Sequence, residues 1–195
     1  MIDLLYPAKP APVMPAPRSY MVDENIGQNE EMLPVVEPSG VVVGQMARCY
    51  AHSGSNLLHP VVHLHIIDRQ GRIFLQKRAA TKDLYPGRWD TAVGGHIEYG
   101  ESVVEALMRE AQEELGFYDF HPVFLDSYEY ENYRERELIC VFACVGNFKI
   151  NPKNIEVEQG RYFAESEIDE SPQDMFTSNF LSEYGRFKAA FKALL

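Results

Sequence analysis

The sequence predicts a single α/β domain built on a mixed β-sheet with helices on both of its faces. Two observations support this fold class. Short apolar runs bounded by turn-forming residues occur on both sides of one amphipathic segment, and a second helical pattern lies at the C-terminal end. The chain has 195 residues, of which 46% are hydrophobic and 24% charged, and such a length and composition are typical of one soluble domain.

The N-terminal segment is predicted to be an arm that packs poorly on the rest of the chain. Seven of the 12 prolines fall in the first 38 residues, and residues 7–17 are typical of an extended, polyproline-like segment. We therefore assign residues 1–31 to a Pro-rich arm and residues 32–195 to the folded domain. Because an exposed arm could pack on a partner subunit, a homodimer is one arrangement that the sequence leaves open.

The β-strands are predicted where short apolar runs lie between turn residues. The first two form a β-hairpin, because residues 33–36 and 41–43 flank the turn sequence Glu-Pro-Ser-Gly. The other strands are predicted at residues 59–68, 73–78, 91–93, 123–130, 138–145 and 156–163.

The central helix is predicted over residues 102–115. Ser102 is the expected N-cap, Glu105 completes a capping box, and Gly116 is the expected C-terminal stop. The apolar stripe of this helix is predicted to consist of Val104, Leu107, Met108, Ala111 and Leu115. A C-terminal helix is predicted around residues 182–195.

The charge and composition exclude some partners and locations. A net charge of −11 argues against nucleic acid, because binding its backbone requires a basic surface. It does not exclude a small phosphorylated molecule, since divalent metal ions can screen such a ligand. No apolar run approaches the roughly 20 residues that span a bilayer, and the N-terminus lacks the pattern of a signal peptide. The three cysteines have no metal-ligand spacing, so we expect a cytoplasmic protein with no membrane partner.

The main chemical pattern lies on and just before the central helix. It consists of Gly95, Glu101, Arg109, Glu110, Glu113, Glu114 and Gly116. The last three glutamates stand at positions i, i+3 and i+4, so their carboxylates converge on one helix face and favour a hard divalent cation. The alternative is a solvated acidic helix face. However, seven fixed positions within 23 residues have a chance probability on the order of 10⁻⁹ per start position.

This pattern resembles the Nudix box, and Ala111 and Phe117 also occupy its apolar positions. The resemblance implies a Nudix α/β/α sandwich and a hydrolase that depends on Mg²⁺ or Mn²⁺. It implies that the small-molecule substrate is a nucleoside diphosphate derivative or a related organic diphosphate. It further implies that Glu110, Glu113, Glu114 and the Gly95 carbonyl bind metal, and that Glu101 and Arg109 support the catalytic arrangement.

The surrounding sequence is similar to the isopentenyl-diphosphate isomerases, which share the Nudix fold. The resemblance extends from His52 to Val145 and implies a second divalent-metal site formed by His52, His59, His96, Glu135 and Glu137. It also implies that Arg78 and Lys82 contact the substrate phosphates.

Two departures from the isomerase pattern favour hydrolysis. The cysteine that exchanges a proton with the alkene falls on Gly94, and Glu110 stands where the isomerases carry a basic residue. Glycine has no group for acid–base chemistry. The alternatives that remain are an isomerase-like enzyme, a prenyl-diphosphate-binding protein and a non-catalytic ligand sensor.

Further aromatic and histidine residues have ordinary structural explanations. His63 and His65 share one face of a predicted strand, where packed or hydrogen-bonded side chains are expected. Tyr128, Tyr130 and Tyr133 could stack on a base or prenyl chain, and an aromatic-rich edge strand explains them equally well.

Overall fold

A computed structural model of the chain describes residues 30–82, 84–150 and 157–195. The Pro-rich arm predicted at residues 1–31 lies almost entirely outside the described residues, so its packing stays a prediction. Within the described residues, none of the helices has the length and apolar character needed to cross a membrane.

The described residues form nine strands and four α-helices. The strands are β1 (Met32–Val36), β2 (Val42–Ala47), β3 (Leu58–Ile67), β4 (Ile73–Arg78), β5 (Trp89–Asp90), β6 (Val93–His96), β7 (Val123–Glu131), β8 (Arg136–Val145) and β9 (Val157–Phe163). The helices are α1 (Arg48–Ala51), α2 (Val103–Leu115), α3 (Glu165–Glu170) and α4 (Ser178–Ala193).

Seven of the strands form the main sheet, and β1 and β2 form a separate antiparallel hairpin. Strand β3 lies in the middle of the sheet, parallel to β8 along its whole length. On its other edge, residues 61–64 pair with β6, whereas Ile66 and Ile67 pair with β4. Because β4 and β6 pair with successive segments of the same edge, they diverge from β3 at different points and leave a cleft between them.

Helices cover both faces of this sheet, which confirms the predicted α/β/α sandwich. Alternate residues of β3 face opposite layers, as expected for a strand. Val62, Leu64 and Ile66 pack in the layer that contains α2. Val61 and Ile67 pack in the layer that contains the aromatic side of α4.

Helix α2 begins and ends as the sequence predicts. The Ser102 hydroxyl accepts a hydrogen bond from the Glu105 amide, and the Glu105 carboxylate accepts one from the Ser102 amide. Gly116 ends the helix with φ 60°, a left-handed conformation that glycine adopts without strain. The predicted apolar stripe is displaced, however, because Val104 is 39% exposed and Ala106 is fully buried.

Other boundaries also differ from the prediction. Strand β2 runs to Ala47 rather than ending at residue 43. The strand expected at residues 91–93 is two strands, because the chain passes from the edge of β4 to the edge of β3 there. The C-terminal helix begins at Ser178 rather than at Ser182, because the Thr177 hydroxyl accepts a hydrogen bond from the Phe180 amide and caps it.

Candidate active site

Gly95 allows the central helix to bring a carboxylate against strand β6. A β-carbon added at Gly95 would overlap the carboxylate of Glu110. Any side chain at this position would therefore displace Glu110 or the strand. The close approach places this carboxylate beside the backbone of Gly95, whose carbonyl is one of the predicted metal ligands.

The guanidinium of Arg109 organises the carboxylates, as predicted. It donates two hydrogen bonds to Glu101, from Nε to Oε1 and from Nη2 to Oε2, both 2.9 Å long. Nη2 also donates to the carbonyl of His96 at 3.0 Å, and Nη1 donates to Glu110 at 2.8 Å. A longer contact of 3.4 Å reaches Glu113. Arg109 thereby joins helix α2 to the end of strand β6.

Glu114 is the most buried carboxylate of the helix. Its Oε2 accepts hydrogen bonds from Nε2 of Gln76 at 3.1 Å and from the amide of Gly94 at 3.4 Å. Burial and the nearby carboxylate of Glu110 raise the pKa of Glu114 to about 8. Burial also raises the pKa of Glu110. The pKa of Glu110 stays raised although Arg109 donates a hydrogen bond to it, so both carboxylates would gain from a further positive charge and the pair suits a hard divalent cation.

The third glutamate of the set is placed differently. The side chain of Glu113 is 56% exposed and faces the opening of the cavity. Among the described residues, the groups of three or more ligand atoms within 4.8 Å of one another contain histidines, Glu135 and Glu137 rather than the helix glutamates. The structure thus brings Glu110 and Glu114 together in the cavity and leaves Glu113 at its edge.

The five residues of the predicted second metal site lie together. His52 Nε2 is 3.0 Å from Nε2 of His96 and 3.1 Å from Oε2 of Glu135. His59 is buried, and its Nε2 has no hydrogen-bond partner. His59, Glu135 and Glu137 form a second compact group of ligand atoms.

The protonation behaviour of this cluster also suits a metal ion. Burial lowers the pKa of His52 and His59, and it lowers that of His96 well below its ordinary value. Burial and the neighbouring Glu135 raise the pKa of Glu137 to about 7. Neutral imidazoles are the form that binds metal, and a buried nitrogen without a partner is a ready ligand.

A single cavity of about 580 Å³ connects the two groups of residues. Arg78 and Lys82 line it, and their contact with phosphate stays a prediction. Arg78 is held in place because it donates hydrogen bonds to Asp90 at 3.1 Å and to the carbonyl of Leu84 at 3.0 Å. The cavity occupies the cleft between β4 and β6, so the split pairing of β3 creates the site.

His63 was not predicted to line the cavity. It was expected to be a packed or hydrogen-bonded strand residue, and it does donate a 2.7 Å hydrogen bond to Glu183 of helix α4 while it also lines the cavity. These two residues lie 120 positions apart, and no local pattern marks Glu183. The alternation of His63 and His65 was the available signal, because two polar side chains on a buried strand face need a polar partner.

Comparisons with known proteins agree with this geometry. Residues 57–184 match the NUDIX domain family. An uncharacterized Nudix hydrolase of Streptomyces coelicolor is 32% identical over 171 residues, which cover 86% of this chain and 94% of that protein. The chain therefore belongs to the Nudix family.

Two further proteins illustrate the range of relatives. An isopentenyl-diphosphate Delta-isomerase of Brevibacterium linens is 28% identical over 144 residues, which cover 71% of this chain and 79% of that protein. The fold is shared with a protein of known structure from Deinococcus radiodurans, with a TM-score of 0.62 and 24% identity over 71% of this chain and 86% of that one.

The two adjacent glycines of strand β6 give a matched test of the site geometry. We expect Gly95→Ala to lower the free energy of unfolding by about 1–3 kcal/mol, because the new methyl group overlaps the Glu110 carboxylate. It should also weaken stabilisation by Mn²⁺. Urea unfolding and the Mn²⁺-dependent shift of Tm measure the two effects.

Gly94→Ala is the control. Its β-carbon would lie 3.3 Å from Cδ2 of His63, a contact that a small side-chain adjustment relieves. Equal losses of stability and Mn²⁺ response in both variants would contradict a specific requirement for Gly95.

Proposed function

We propose that the chain hydrolyses a diphosphate linkage, with Mg²⁺ or Mn²⁺, in a nucleoside diphosphate derivative or a related organic diphosphate. The observation that carries this proposal is the close pair of Glu110 and Glu114 in the cavity beside Gly95. A divalent cation would stabilise both carboxylates as anions, and the cavity is also lined by Arg78 and Lys82, which can contact an anionic substrate.

Each residue has a defined part in this proposal. Glu110, Glu114 and the Gly95 carbonyl would hold the ion, and Glu113, at the edge of the cavity, would be a further ligand. A bound divalent ion lowers the pKa of coordinated water and offsets charge on the reacting phosphate. Arg109 keeps the carboxylates oriented through its bidentate contact with Glu101. We place the reaction in the cytoplasm, and the three cysteines are all free thiols.

A second ion is proposed at the histidine cluster. The cluster supplies neutral nitrogen ligands from His52, His59 and His96 and carboxylate ligands from Glu135 and Glu137. The buried Nε2 of His59 has no hydrogen-bond partner, as expected of a nitrogen that binds a metal ion. The same cluster favours the second candidate function, an isomerase-like enzyme or a protein that binds prenyl diphosphates. Against isomerisation stands Gly94, which cannot transfer a proton to an alkene.

Glu114→Gln is the principal test of hydrolysis. We expect it to lower kcat at least about 100-fold on any diphosphate that the wild-type protein cleaves, because the amide cannot hold the cation as the carboxylate does. Substrates come from a panel of nucleoside triphosphates, nucleotide sugars, dinucleoside polyphosphates and prenyl diphosphates with Mn²⁺. Phosphate and nucleotide release are measured.

The control for this test is Glu170→Gln, which removes an exposed carboxylate outside the cavity and should change kcat less than about twofold. Turnover that survives Glu114→Gln with an intact fold would show that the mechanism is wrong. A wild-type protein that cleaves no member of the panel would favour the ligand sensor.

Isomerisation is tested separately with isopentenyl diphosphate in heavy water. We expect no deuterium in the recovered substrate by mass spectrometry, because Gly94 offers no acid–base group. Deuterium incorporation by the wild-type protein above a metal-only blank would instead establish the isomerase-like activity.

The histidine site is tested by metal content. After dialysis against Zn²⁺ or Mn²⁺ and removal of excess ion, His59→Gln should hold about one ion fewer per chain than the wild-type protein, measured by elemental analysis. The exposed His121→Gln is the control and should hold the wild-type amount. An unchanged metal content in His59→Gln would remove the case for this second site.

A further inference from the structure

A buried carboxylate on helix α4 gathers three hydrogen-bond donors behind the cavity. Glu183 is fully buried and accepts hydrogen bonds from Nδ1 of His63 at 2.7 Å and from Nε2 of His65 at 2.8 Å. The hydroxyl of Tyr128 donates a third, also 2.7 Å long. The donors come from strands β3 and β7, so the network joins helix α4 to the sheet.

Charge balance assigns a positive charge to this network. A buried carboxylate is costly without a positive partner, and among its three donors only the histidines can carry one. Burial would lower the pKa of His63, but the carboxylate of Glu183 outweighs burial and raises it to about 9. Although burial would raise the pKa of Glu183, His63 and His65 hold it well below its usual value.

The two histidines differ in what their second nitrogen faces. His65 is fully buried against Phe191, with ring centroids 4.8 Å apart, and its Nδ1 has no hydrogen-bond partner. His63 is oriented differently, because its Nδ1 is committed to Glu183 while the ring lines the cavity. Within the part of the chain that the structure describes, Nε2 of His63 makes no hydrogen bond. An imidazolium held in this way presents Nε2–H as a donor to the cavity.

Gly94 leaves this nitrogen accessible. A β-carbon at Gly94 would lie 3.3 Å from Cδ2 and 3.4 Å from Nε2 of His63, so a longer side chain there would extend across the ring edge. The backbone amide of the same glycine points to Glu114. The imidazole edge and the metal-binding carboxylate therefore border the same part of the cavity, from opposite faces of the sheet.

We propose that His63 is a substrate-binding residue whose Nε2 donates a hydrogen bond to a phosphate oxygen of the diphosphate in this cavity. The inference rests on the proposed function only for the class of substrate. Glu183 is then a positioning residue, since it holds the ring and supplies the balancing negative charge. His65 and Tyr128 hold Glu183 in turn.

Binding of methylenediphosphonate, a diphosphate that cannot be hydrolysed at its bridge, tests the contact without requiring turnover. Isothermal titration with Mn²⁺ present should show a Kd that rises roughly 10- to 100-fold in His63→Gln, as expected for loss of a charge-assisted hydrogen bond. His65→Gln is the matched control, because it replaces the other imidazole that donates to the same carboxylate but does not reach the cavity. It should lower Tm and change Kd less than about threefold.

A spectroscopic measurement on the wild-type protein separates contact from a merely structural role. With Mg²⁺ in place of the paramagnetic Mn²⁺, the long-range ¹H–¹⁵N spectrum of ¹⁵N-histidine-labelled protein should show the Nε2 signal of His63 moving when the probe is added. The Nδ1 signal should stay nearly constant because it remains on Glu183. His63→Gln assigns the signals, or His63→Asn if the first variant does not fold.

The outcomes distinguish this inference from the proposed hydrolysis. No probe binding by the wild-type protein, an unchanged Kd in His63→Gln, or a static Nε2 signal would each overturn the role of His63. If turnover depends on Glu114 while the Kd of the probe is the same in His63→Gln as in the wild-type protein, hydrolysis stands and this inference fails. If the probe binds through His63 and no diphosphate is cleaved, the inference stands and the catalytic proposal fails.

Discussion

The guanidinium of Arg109 is the interaction on which the geometry of the site depends. It contacts the loop before helix α2 through Glu101, the end of strand β6 through the His96 carbonyl, and the helix itself through Glu110. Apolar packing alone does not fix the direction of a carboxylate. A planar guanidinium can satisfy several acceptors at fixed angles, so one side chain sets their relative positions.

The site also depends on charged groups that both faces of the sheet contribute to it. Glu110 and Glu114 approach from the helix α2 side, where burial makes their negative charge unfavourable. His63 approaches from the α4 side, where Glu183 makes its positive charge favourable. Because β4 and β6 pair with successive segments of β3, the sheet is open between them and the two faces share one cavity. Side chains from both faces of the sheet thus line one cavity.

The sequence was informative where the chemistry is local. Helix α2 carries its own boundary signals, a capping box at Ser102 and a stop at Gly116, so its limits were predicted to within one residue. The pairing of Arg109 with Glu101 was implied by the resemblance to the Nudix box rather than by helix spacing, because Glu101 lies in the loop before the helix. The displacement of the apolar stripe could not be predicted in this way. Ala106 is buried and Val104 is exposed because of how the helix packs on the sheet, and this packing is a long-range feature.

Long-range features could be predicted only by resemblance or not at all. The residues of the second predicted metal site come from separate elements. His52 directly follows α1, His59 lies in β3, and Glu135 precedes β8. Nothing in their spacing alone implies that they meet. The resemblance to the isomerases supplied that set. Glu183 had no such guide, because its role arises from the packing of α4 on strand residues about 120 positions earlier. A glutamate on an amphipathic helix is usually solvated, so its burial was not visible in the sequence.

The neighbouring glycines of β6 link a local feature of the sequence to the long-range packing of the site. Successive residues of a strand face opposite sides, so Gly94 and Gly95 remove side chains from the α4 face and the α2 face respectively. At Gly95 the missing side chain admits Glu110, and at Gly94 it uncovers the edge of His63. A side chain at Gly94 able to transfer a proton would occupy the space through which His63 reaches the cavity. Gly94 therefore lacks the acid–base group that isomerisation would need, and it also leaves the edge of the His63 imidazole uncovered.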